Sequence, residues 1–593
     1  MKFSYGISDF HELITQDYFY IDRSDRIPLI EEAGVHLLFL RPRRFGKTLL
    51  LSMLKNYYDI AKAGEFTQLF GNLNIGKNPT DLHNRFFVLK WDFSAVSSTG
   101  EPKEIQQALY RYVNGSIEDF ALYYKNLLPI KIKIYPEDAL ASFQSLLLAV
   151  RQTSHKLYLL IDEYDNFANE VMMGSRKISQ SRYKALVYGE GCLKSLFKVV
   201  KSATEGQGLT RSFITGVSPV VMSDITSGHN IAESIYLKPQ FNDLCGFLET
   251  EIDHTLKSIV EKCGMSSDEL AQALNMMKKY YNGYRFGHKS IGFIYNPTLA
   301  IYFMKSFQSD CEYPEEMLDE NMAMDRGKIT YISRLPQGGQ VIVDALNDKK
   351  PLSLHRLSRR FGVEDMMNAV KDDVFMISLL YYFGVLTFGG RTKGGKHILK
   401  IPNLVVKRLY LERLSEILLP ETNRNEASGI VENFYGTGDM KPVCDFIEQH
   451  CLKIYDNRDY RWANELTIKT IFLVLLFNDI FYITESENEL ERHYADMTMI
   501  VRPDMREYRL LDFLIEFKYV ELAANELTGK MISQMTYEKL TALKPVKKKI
   551  AESKKMLEKY RRSLNSKHKE ILNLRTFCVV AVGFDRLVWK EIK

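Results

Sequence analysis

Short segments rich in apolar residues mark predicted strands along the first 240 residues, and stretches of helical periodicity separate them. The strand segments are 35–40, 86–92, 157–161 and 211–216, and 48–58 is one of the helical stretches. Strands that alternate with helices form βαβ units. The pattern therefore predicts an α/β domain with a parallel sheet.

The pattern becomes helical between residues 240 and 350, and it changes again further on. A helix, a strand, a glycine-rich turn and a second strand between 379 and 401 outline a winged-helix-like unit. From about residue 440 onwards, helical and strand patterns alternate again and predict a second α/β unit. Its helix is predicted over 465–477 and its strands over 494–501, 509–520 and 576–582.

Composition and charge exclude several classes of protein. The chain has 593 residues, of which 46% are hydrophobic and 26% charged, so a disordered or collagen-like protein is excluded. The net charge is only +5, so any basic surface must be local. Seven scattered cysteines without a C-x-x-C pair favour a reducing compartment over a disulfide framework. With no signal peptide or membrane span in the pattern, we expect a cytoplasmic protein with no membrane partner.

The segment 41–48, Arg-Pro-Arg-Arg-Phe-Gly-Lys-Thr, lies between the first predicted strand and the helix that follows. A phosphate-binding loop needs this setting, because the N–H groups and the dipole of a helix N-terminus attract phosphate. Lys47 is expected to reach the β- and γ-phosphates of ATP, and Thr48 to hold Mg²⁺. The usual first glycine of such a loop is missing, since Arg41 stands in its place. The candidate nucleotide-binding residues of the loop are Arg43, Arg44, Phe45, Gly46, Lys47 and Thr48.

Two later strands supply the other half of a nucleotide site. The strand at 157–161 is followed by Asp162, expected to support Mg²⁺, and by Glu163, expected to polarise an attacking water. Thr215 lies near the end of the next strand and is an auxiliary candidate for sensing the γ-phosphate. Each motif alone could be chance turn chemistry or a solvated strand end. Their order on alternating strands predicts nucleotide binding, with hydrolysis as the further step.

A second constellation lies near the C-terminus. Asp496 is in one predicted strand, and Glu516 and Lys518 lie two residues apart in the next, so these two share a face. Two carboxylates suit Mg²⁺, with Mn²⁺ as an alternative, and the lysine can stabilise charge on a scissile phosphate. Two carboxylates and a lysine arranged in this way are typical of a metal-dependent phosphodiester nuclease. The alternative is an exposed, salt-bridged strand face. Glu465 on the preceding helix and Gln534 on the following helix are auxiliary candidates.

These motifs resemble those of the AAA-ATPase-like proteins that carry a C-terminal PD-(D/E)XK nuclease domain. The P-loop of that family similarly lacks its first glycine. Where the family usually has Gly-Arg-x-Asp before its first metal acid, this chain has His-Tyr-Ala-Asp at 493–496. Further matching strings are Tyr18-Phe-Tyr-Ile-Asp22, Trp91-Asp-Phe-Ser94, Leu160-Ile-Asp-Glu-Tyr-Asp165, Phe213-Ile-Thr-Gly-Val-Ser218, Tyr280-Tyr-Asn-Gly-Tyr-Arg-Phe-Gly287, Tyr295-Asn-Pro297 and Ile401-Pro-Asn403.

The resemblance implies four domains: a P-loop AAA-ATPase-like domain at 1–238, a helical lid at 239–350, a winged-helix-like unit at 351–435 and a restriction-endonuclease-like PD-(D/E)XK domain at 436–593. It implies an enzyme that binds and hydrolyses ATP and cleaves nucleic acid, with DNA the preferred substrate. The alternative is a nucleotide-controlled switch whose nuclease domain only binds nucleic acid. Association into a homo-oligomer stays open, as does endonuclease against exonuclease action.

The segment 546–565 is strongly basic, and its apolar residues recur at helical spacing. It is expected to form an amphipathic helix beside the candidate nuclease residues. One interpretation is a solvated helix that packs by a single apolar stripe. The other is a helix that follows the phosphates of a nucleic acid.

Overall fold

The computed structural model describes residues 1–97, 100–166, 191–220, 231–318, 326–347, 350–359, 361–362, 371–419, 421–452, 465–486, 488–490, 493–568 and 571–592. The chain divides into two units by its contacts. The first unit comprises Met1–Ser309 with Ser353–Pro402, and the second comprises Asp310–Leu352 with Asn403–Lys593. The four predicted domains with their boundaries at 238, 350 and 435 stay a prediction.

A five-stranded parallel sheet forms the centre of the first unit. Its strands are β1 (His36–Leu40), β2 (Phe86–Asp92), β3 (Lys156–Asp162), β4 (Leu209–Gly216) and β5 (Glu233–Ser234). Their order in the sheet is β2-β3-β4-β1-β5, with every described pair parallel. The α/β class and the parallel sheet are therefore confirmed, and all four predicted strands are present. Because β4 separates β1 from β3, three strand ends meet where the phosphate-binding loop begins.

Helices surround this sheet, and a small second sheet completes the unit. The small sheet contains β6 (Leu352–Leu354), β7 (Thr387–Arg391) and β8 (His397–Lys400) in the order β6-β8-β7, and the helix Asp373–Tyr382 precedes β7. The remaining α-helices are Phe10–Thr15, Ile27–Ala33, Lys47–Tyr58, Phe66–Phe70, Asn74–Lys77, Pro102–Tyr123, Ala139–Arg151, Cys192–Thr204, Glu249–Lys262, Ser267–Tyr281 and Pro297–Asp310.

The second unit contains a mixed sheet in the order β15-β14-β13-β12-β9. Its strands are β9 (Tyr482–Glu485), β12 (Met497–Val501), β13 (Asp512–Val520), β14 (Leu574–Val582) and β15 (Arg586–Glu591), and a separate pair joins β10 (Asn488–Leu490) to β11 (His493–Ala495). Only the β13–β14 pair is parallel. The single strand predicted over 494–501 is wrong, because the chain leaves the ladder at Asp496 between β11 and β12.

The crossover between β13 and β14 contains the predicted basic helix, which runs over Lys544–Lys567. Its apolar residues are buried in one core with residues of β13, β14 and β15. The other α-helices of this unit are Arg326–Ser333, Gly338–Ala345, Leu404–Leu418, Arg424–Thr437, Met440–Phe446, Glu465–Leu476, Gly529–Ser533 and Tyr537–Ala542.

Two sequence expectations concern membrane-spanning helices and the redox state of the cysteines. No helix in the described part of the chain is long and apolar enough to cross a membrane. Five of the cysteines, Cys192, Cys245, Cys444, Cys451 and Cys578, are buried free thiols. Cys263 and Cys311 are disulfide-bonded, whereas the cysteine pattern had favoured a reducing compartment over a disulfide framework.

Candidate functional site

The loop between β1 and the helix Lys47–Tyr58 lies at the carboxyl edge of the parallel sheet. In open α/β sheets this edge is where ligands bind. Gly46 is the N-cap of the helix and has a φ of +86°, a left-handed conformation that a residue with a side chain adopts only under strain. The loop therefore turns directly into a helix N-terminus whose first N–H groups are available for an anion.

Arg41, which replaces the usual first glycine, stabilises the fold through hydrogen bonds of its side chain. Its side chain is buried, and its guanidinium donates hydrogen bonds to four backbone carbonyls: Leu40 at 2.8 Å, Tyr236 at 3.0 Å, Phe241 at 2.6 Å and Asn242 at 3.5 Å. Burial lowers the pKa of Arg41 to about 10. The side chain of Arg41 therefore connects the start of the loop to the segment 236–242 through hydrogen bonds.

Lys47 and Glu163 are brought together from two different strand ends. Lys47 Nζ lies 3.2 Å from Glu163 Oε1 and donates to the carbonyl of Pro42, also at 3.2 Å. Lys47 is buried, whereas Glu163 is partly exposed. Glu163 has a φ of +49°, which is uncommon for a residue with a side chain. The predicted phosphate-binding lysine and the predicted catalytic acid therefore form one ion pair.

Asp162 and Thr215 form the second contact at this edge. The Thr215 hydroxyl donates to Asp162 Oδ1 at 2.6 Å, and both residues are fully buried. Asp162 Oδ2 is buried and accepts no hydrogen bond from the described residues. A buried carboxylate oxygen without a donor is unfavourable unless a cation or a donor reaches it. Thr48, the other predicted Mg²⁺ ligand, is half-buried in the first turn of the helix.

Asp165 and Asn166 contribute to the site although no role was predicted for them. Asp165 is fully buried and accepts hydrogen bonds from the backbone of Val217, at 3.0 Å, and from the backbone and hydroxyl of Ser218, at 2.8 and 2.9 Å. It therefore fixes the chain just after β4. Asn166 Oδ1 accepts a hydrogen bond from Arg43 at 3.3 Å. In the sequence, the acidic residues within 162–165 were the feature that could have indicated the structural role of Asp165.

The glycine-rich segment 282–287 packs against the phosphate-binding loop. The buried ring of Phe45 makes edge-to-face contacts with Tyr284 and Phe286, with centroid distances of 4.8 and 5.2 Å. The guanidinium of Arg41 lies 4.1 Å from the Phe286 ring centroid. Phe45 is thus an anchor of the loop, and the backbone carbonyl of Arg44 accepts a hydrogen bond from the Thr298 hydroxyl at 2.9 Å.

In the second unit, three carboxylates surround one lysine. Lys518 Nζ lies 2.8 Å from Glu516 Oε1, 3.9 Å from Glu465 Oε2 and 4.0 Å from Asp496 Oδ2. Asp496 and Glu516 are buried, whereas Glu465 begins its helix and is partly exposed. The backbone N–H of Phe517 donates to Asp496 Oδ2 at 2.9 Å, which explains why the chain leaves the ladder there.

The electrostatics of this cluster keep Lys518 charged. Burial alone would lower the pKa of Lys518, but the negative charges of Glu516, Asp496 and Glu465 outweigh burial and raise it above its ordinary value. A protonated ammonium inside an acidic cluster neutralises part of the mutual repulsion of the acids. Such a cation is also placed to stabilise negative charge on a phosphate.

Gln534, the remaining auxiliary candidate, is exposed and caps the C-terminus of the helix Gly529–Ser533 rather than lying within it. Within the described ranges, no group of three or more His, Cys, Asp or Glu side chains is arranged to hold a metal ion by itself. Asp496 and Glu516 therefore offer two protein carboxylates. Mg²⁺ commonly binds one or two carboxylates and completes its shell with water and phosphate oxygens, so this donor set fits it.

Residues 4–226 match the family model described as predicted AAA-ATPase. The match covers the first part of the chain, less than half of its length, and supports nucleotide binding there. The chain is also similar to the "Uncharacterized protein in vnfD 5′region" of Azotobacter chroococcum mcd 1. The two are 24% identical over 428 residues, which are 71% of each chain.

Two solved structures have distant likenesses to the chain. The Walker-type ATPase PABY2304 of Pyrococcus abyssi is 13% identical with a TM-score of 0.36, covering 66% of this chain and 96% of that one. The Aeropyrum pernix ORC1 protein in complex with DNA is 10% identical with a TM-score of 0.26, covering 68% and 96%. Similarities this low do not establish a common function.

Proposed function

We propose that the chain is a nucleotide-dependent nuclease, in which ATP bound and hydrolysed by the first unit controls phosphodiester cleavage of DNA by the second. The observation that carries this proposal is the presence of both constellations in one chain. Lys47 and Glu163 meet at a strand edge beside a helix N-terminus, and Lys518 is held among Asp496, Glu516 and Glu465.

In the first unit, the N–H groups that follow Gly46 and the ammonium of Lys47 bind the phosphates of ATP. Arg43 and Arg44 add positive charge beside the loop. Glu163 leaves its ion pair with Lys47 when the phosphates arrive, and its carboxylate then accepts a proton from the attacking water. Thr215 holds Asp162 in place through the 2.6 Å hydrogen bond.

The residues of this unit fit a magnesium ion. Asp162 Oδ2 is a buried oxygen that accepts no hydrogen bond from the described residues, and Thr48 offers a hydroxyl in the first helical turn. These two groups would hold Mg²⁺ with the nucleotide phosphates. The ion supplies charge neutralisation between the β- and γ-phosphates.

In the second unit, Asp496 and Glu516 would hold the divalent cation, Mg²⁺ or Mn²⁺. When bound, the cation would lower the pKa of a water and stabilise charge on the phosphate. Lys518 contributes its ammonium, which stays protonated at neutral pH and stabilises the negative charge that develops on the scissile phosphate. Glu465 balances the charge of this lysine from the preceding helix.

A cleavage assay on purified full-length protein tests this function. Linear, circular and single-stranded DNA and RNA are incubated with ATP and either Mg²⁺ or Mn²⁺, and the products are separated on gels. Glu516→Gln is expected to abolish cleavage because it removes a carboxylate ligand. Glu521→Gln, an exposed glutamate just beyond the same strand, is the matched control and is expected to cleave normally. Equal cleavage by wild type and Glu516→Gln would overturn the assignment.

A second candidate function is a nucleotide-controlled switch that binds nucleic acid without cutting it. The close approach of Lys518 to Glu516, at 2.8 Å, favours this candidate because a cation already lies beside the acid that would hold the metal. The same gels separate the two functions. A protein that binds DNA and hydrolyses ATP but leaves every nucleic acid intact under all these conditions is the switch.

A further inference from the structure

The basic helix Lys544–Lys567 carries a large local excess of positive charge. Its 24 residues include ten Lys or Arg and two Glu, a net charge of +8, compared with +5 for the whole chain. One face of the helix is buried in the core of the unit through residues including Val546, Ile550 and Leu557. The apolar stripe predicted from the sequence is therefore a packing face, and the charges lie outside it.

A groove separates this helix from the edge strand β15. Its volume is about 590 Å³, and three lysines line it: Lys547 and Lys554 from the helix and Lys590 from β15. All three lysines are exposed, and the buried residues Ile550 and Ile592 also line the groove.

The acids near the groove are already paired with cations. Glu591 is the acid that lines it, and Arg575 forms an ion pair with Glu591 from the neighbouring strand. Lys554 approaches Glu558 at 3.9 Å, but an exposed pair of this kind contributes little energy. The groove thus presents a net positive surface with an apolar side, which suits a phosphate backbone and its sugars.

The groove opens on the same face of the sheet as the acidic cluster around Lys518. In the strand register, Lys590 is opposite Cys578, and Cys578 is opposite Glu516, so these three residues lie in one row. Neighbouring strands are about 4.8 Å apart, which places the backbones of Lys590 and Glu516 roughly 10 Å apart. That distance corresponds to about three base steps of a duplex, at about 3.4 Å each.

We propose that this lysine groove, formed by Lys547, Lys554 and Lys590, binds the sugar–phosphate backbone of the nucleic acid that the second unit acts on. The inference rests on the proposed function of that unit and adds the surface that holds its substrate. Lys547 and Lys554 are two helical turns apart, about 10 Å along the axis, so they contact separate phosphates of one strand. A flat anionic membrane cannot enter the groove and would contact the outer lysines of the helix instead.

The test compares two variants of equal charge. The groove variant is Lys547→Ala, Lys554→Ala and Lys590→Ala. The matched control is Lys548→Ala, Lys555→Ala and Lys559→Ala, which removes three exposed lysines from the same helix outside the groove. Binding of fluorescein-labelled 30-nucleotide single- and double-stranded DNA is measured by anisotropy in EDTA, so that no cleavage occurs, between 50 and 200 mM salt. Circular dichroism checks that both variants are folded.

The groove variant is expected to bind at least tenfold more weakly at 100 mM salt. The slope of log affinity against log salt should fall by about two to three units, because each lost phosphate contact removes about 0.9. The control variant should lose less than threefold. Equal losses of affinity in the two variants, or no loss in either, would overturn the proposal that the groove binds nucleic acid. Wild-type cleavage, and with it the proposed function, would be unaffected by that result.

Two other outcomes separate the remaining possibilities. A wild-type protein that neither binds nor cleaves any nucleic acid would overturn both the groove and the proposed function. Vesicles of phosphatidylserine and phosphatidylcholine serve as the second probe. Tight vesicle binding that is lost in the control variant, together with unchanged DNA binding by the groove variant, would identify the helix as a membrane-facing surface and overturn the inference.

Discussion

Lys47 Nζ lies 3.2 Å from Glu163 Oε1, so the lysine expected to bind phosphate and the acid expected to activate water neutralise each other. Lys47 begins the helix that follows β1, and Glu163 directly follows β3, which is separated from β1 in the sheet by β4. In the proposed function, incoming phosphates compete with Glu163 for the lysine, and ATP binding is thereby coupled to the release of the Glu163 carboxylate.

Glu163→Gln removes the charge of this carboxylate and preserves its size. We expect nucleotide binding to become up to about tenfold tighter, because Lys47 no longer has an anionic partner in the empty site. Hydrolysis should slow by roughly 100-fold or more, because the general base is lost. Titration with a fluorescent ATP analogue and a phosphate-release assay measure the two effects.

The matched control for this variant is Glu205→Gln, at an exposed glutamate that follows the helix Cys192–Thr204. It should bind and hydrolyse ATP as the wild type does. Hydrolysis by Glu163→Gln at the wild-type rate would contradict the role assigned to Glu163.

Arg41→Gly restores the glycine that most phosphate-binding loops have at this position, yet we expect it to destabilise the protein. The substitution removes the donor that four backbone carbonyls share, and buried carbonyls without a donor are unfavourable by about 1–3 kcal/mol each. The free energy of unfolding should fall by at least about 3 kcal/mol in urea titrations followed by circular dichroism.

Arg111→Ala, at an exposed arginine in the helix Pro102–Tyr123, is the control and should change the free energy of unfolding by less than about 0.5 kcal/mol. An Arg41→Gly variant as stable as the wild type would contradict the anchoring role of Arg41. A large loss of ATP affinity without a loss of stability would indicate instead that Arg41 contacts the nucleotide.

The raised pKa of Lys518 predicts a specific pH dependence. Because the folded protein holds this proton more tightly than the unfolded chain, the lysine contributes stability that is fully present below its ordinary pKa of 10.5. That contribution is lost as the pH rises through the higher, folded-state pKa. Lys518→Met should therefore lose roughly 2–4 kcal/mol at pH 7, since it leaves three acids without their shared cation.

Urea unfolding at intervals from pH 7 to 11 measures this effect. The difference between the wild type and Lys518→Met should stay constant to about pH 10 and shrink above it. Lys530→Met, at an exposed lysine on the helix Gly529–Ser533, provides the baseline for losing a surface lysine. A difference that is independent of pH would show that the three acids do not depend on the charge of Lys518.

Four of the five strands of the parallel sheet could be predicted from the sequence to within about two residues, because each contains a cluster of apolar residues. The two-residue strand β5 is too short to produce such a pattern. Predicting the ion pair between Lys47 and Glu163 would have required the order of the strands in the sheet, which depends on contacts between residues distant in the chain. Predicting the contacts of Arg41 would have required the same kind of information. Its partners beyond residue 40 lie 195 to 201 residues away in sequence, so no local pattern indicates them.

In the second unit, the acids and the lysine could be predicted as a group, but their geometry could not. The break at Asp496 was missed because an alternating pattern does not reveal that its carboxylate accepts the N–H of Phe517. The basic helix was predicted correctly, including its apolar stripe. The groove beside it was not, because Lys590 comes from an edge strand more than thirty residues away.

Nucleotide bound by the first unit is proposed to control cleavage by the second. This control is tested by measuring the rate of DNA cleavage as a function of ATP concentration for wild type, Lys47→Ala and the control Lys55→Ala, at an exposed lysine on the same helix. We expect ATP-dependent cleavage by the wild type and Lys55→Ala that is lost in Lys47→Ala. Cleavage by Lys47→Ala at the wild-type rate at every ATP concentration would contradict it.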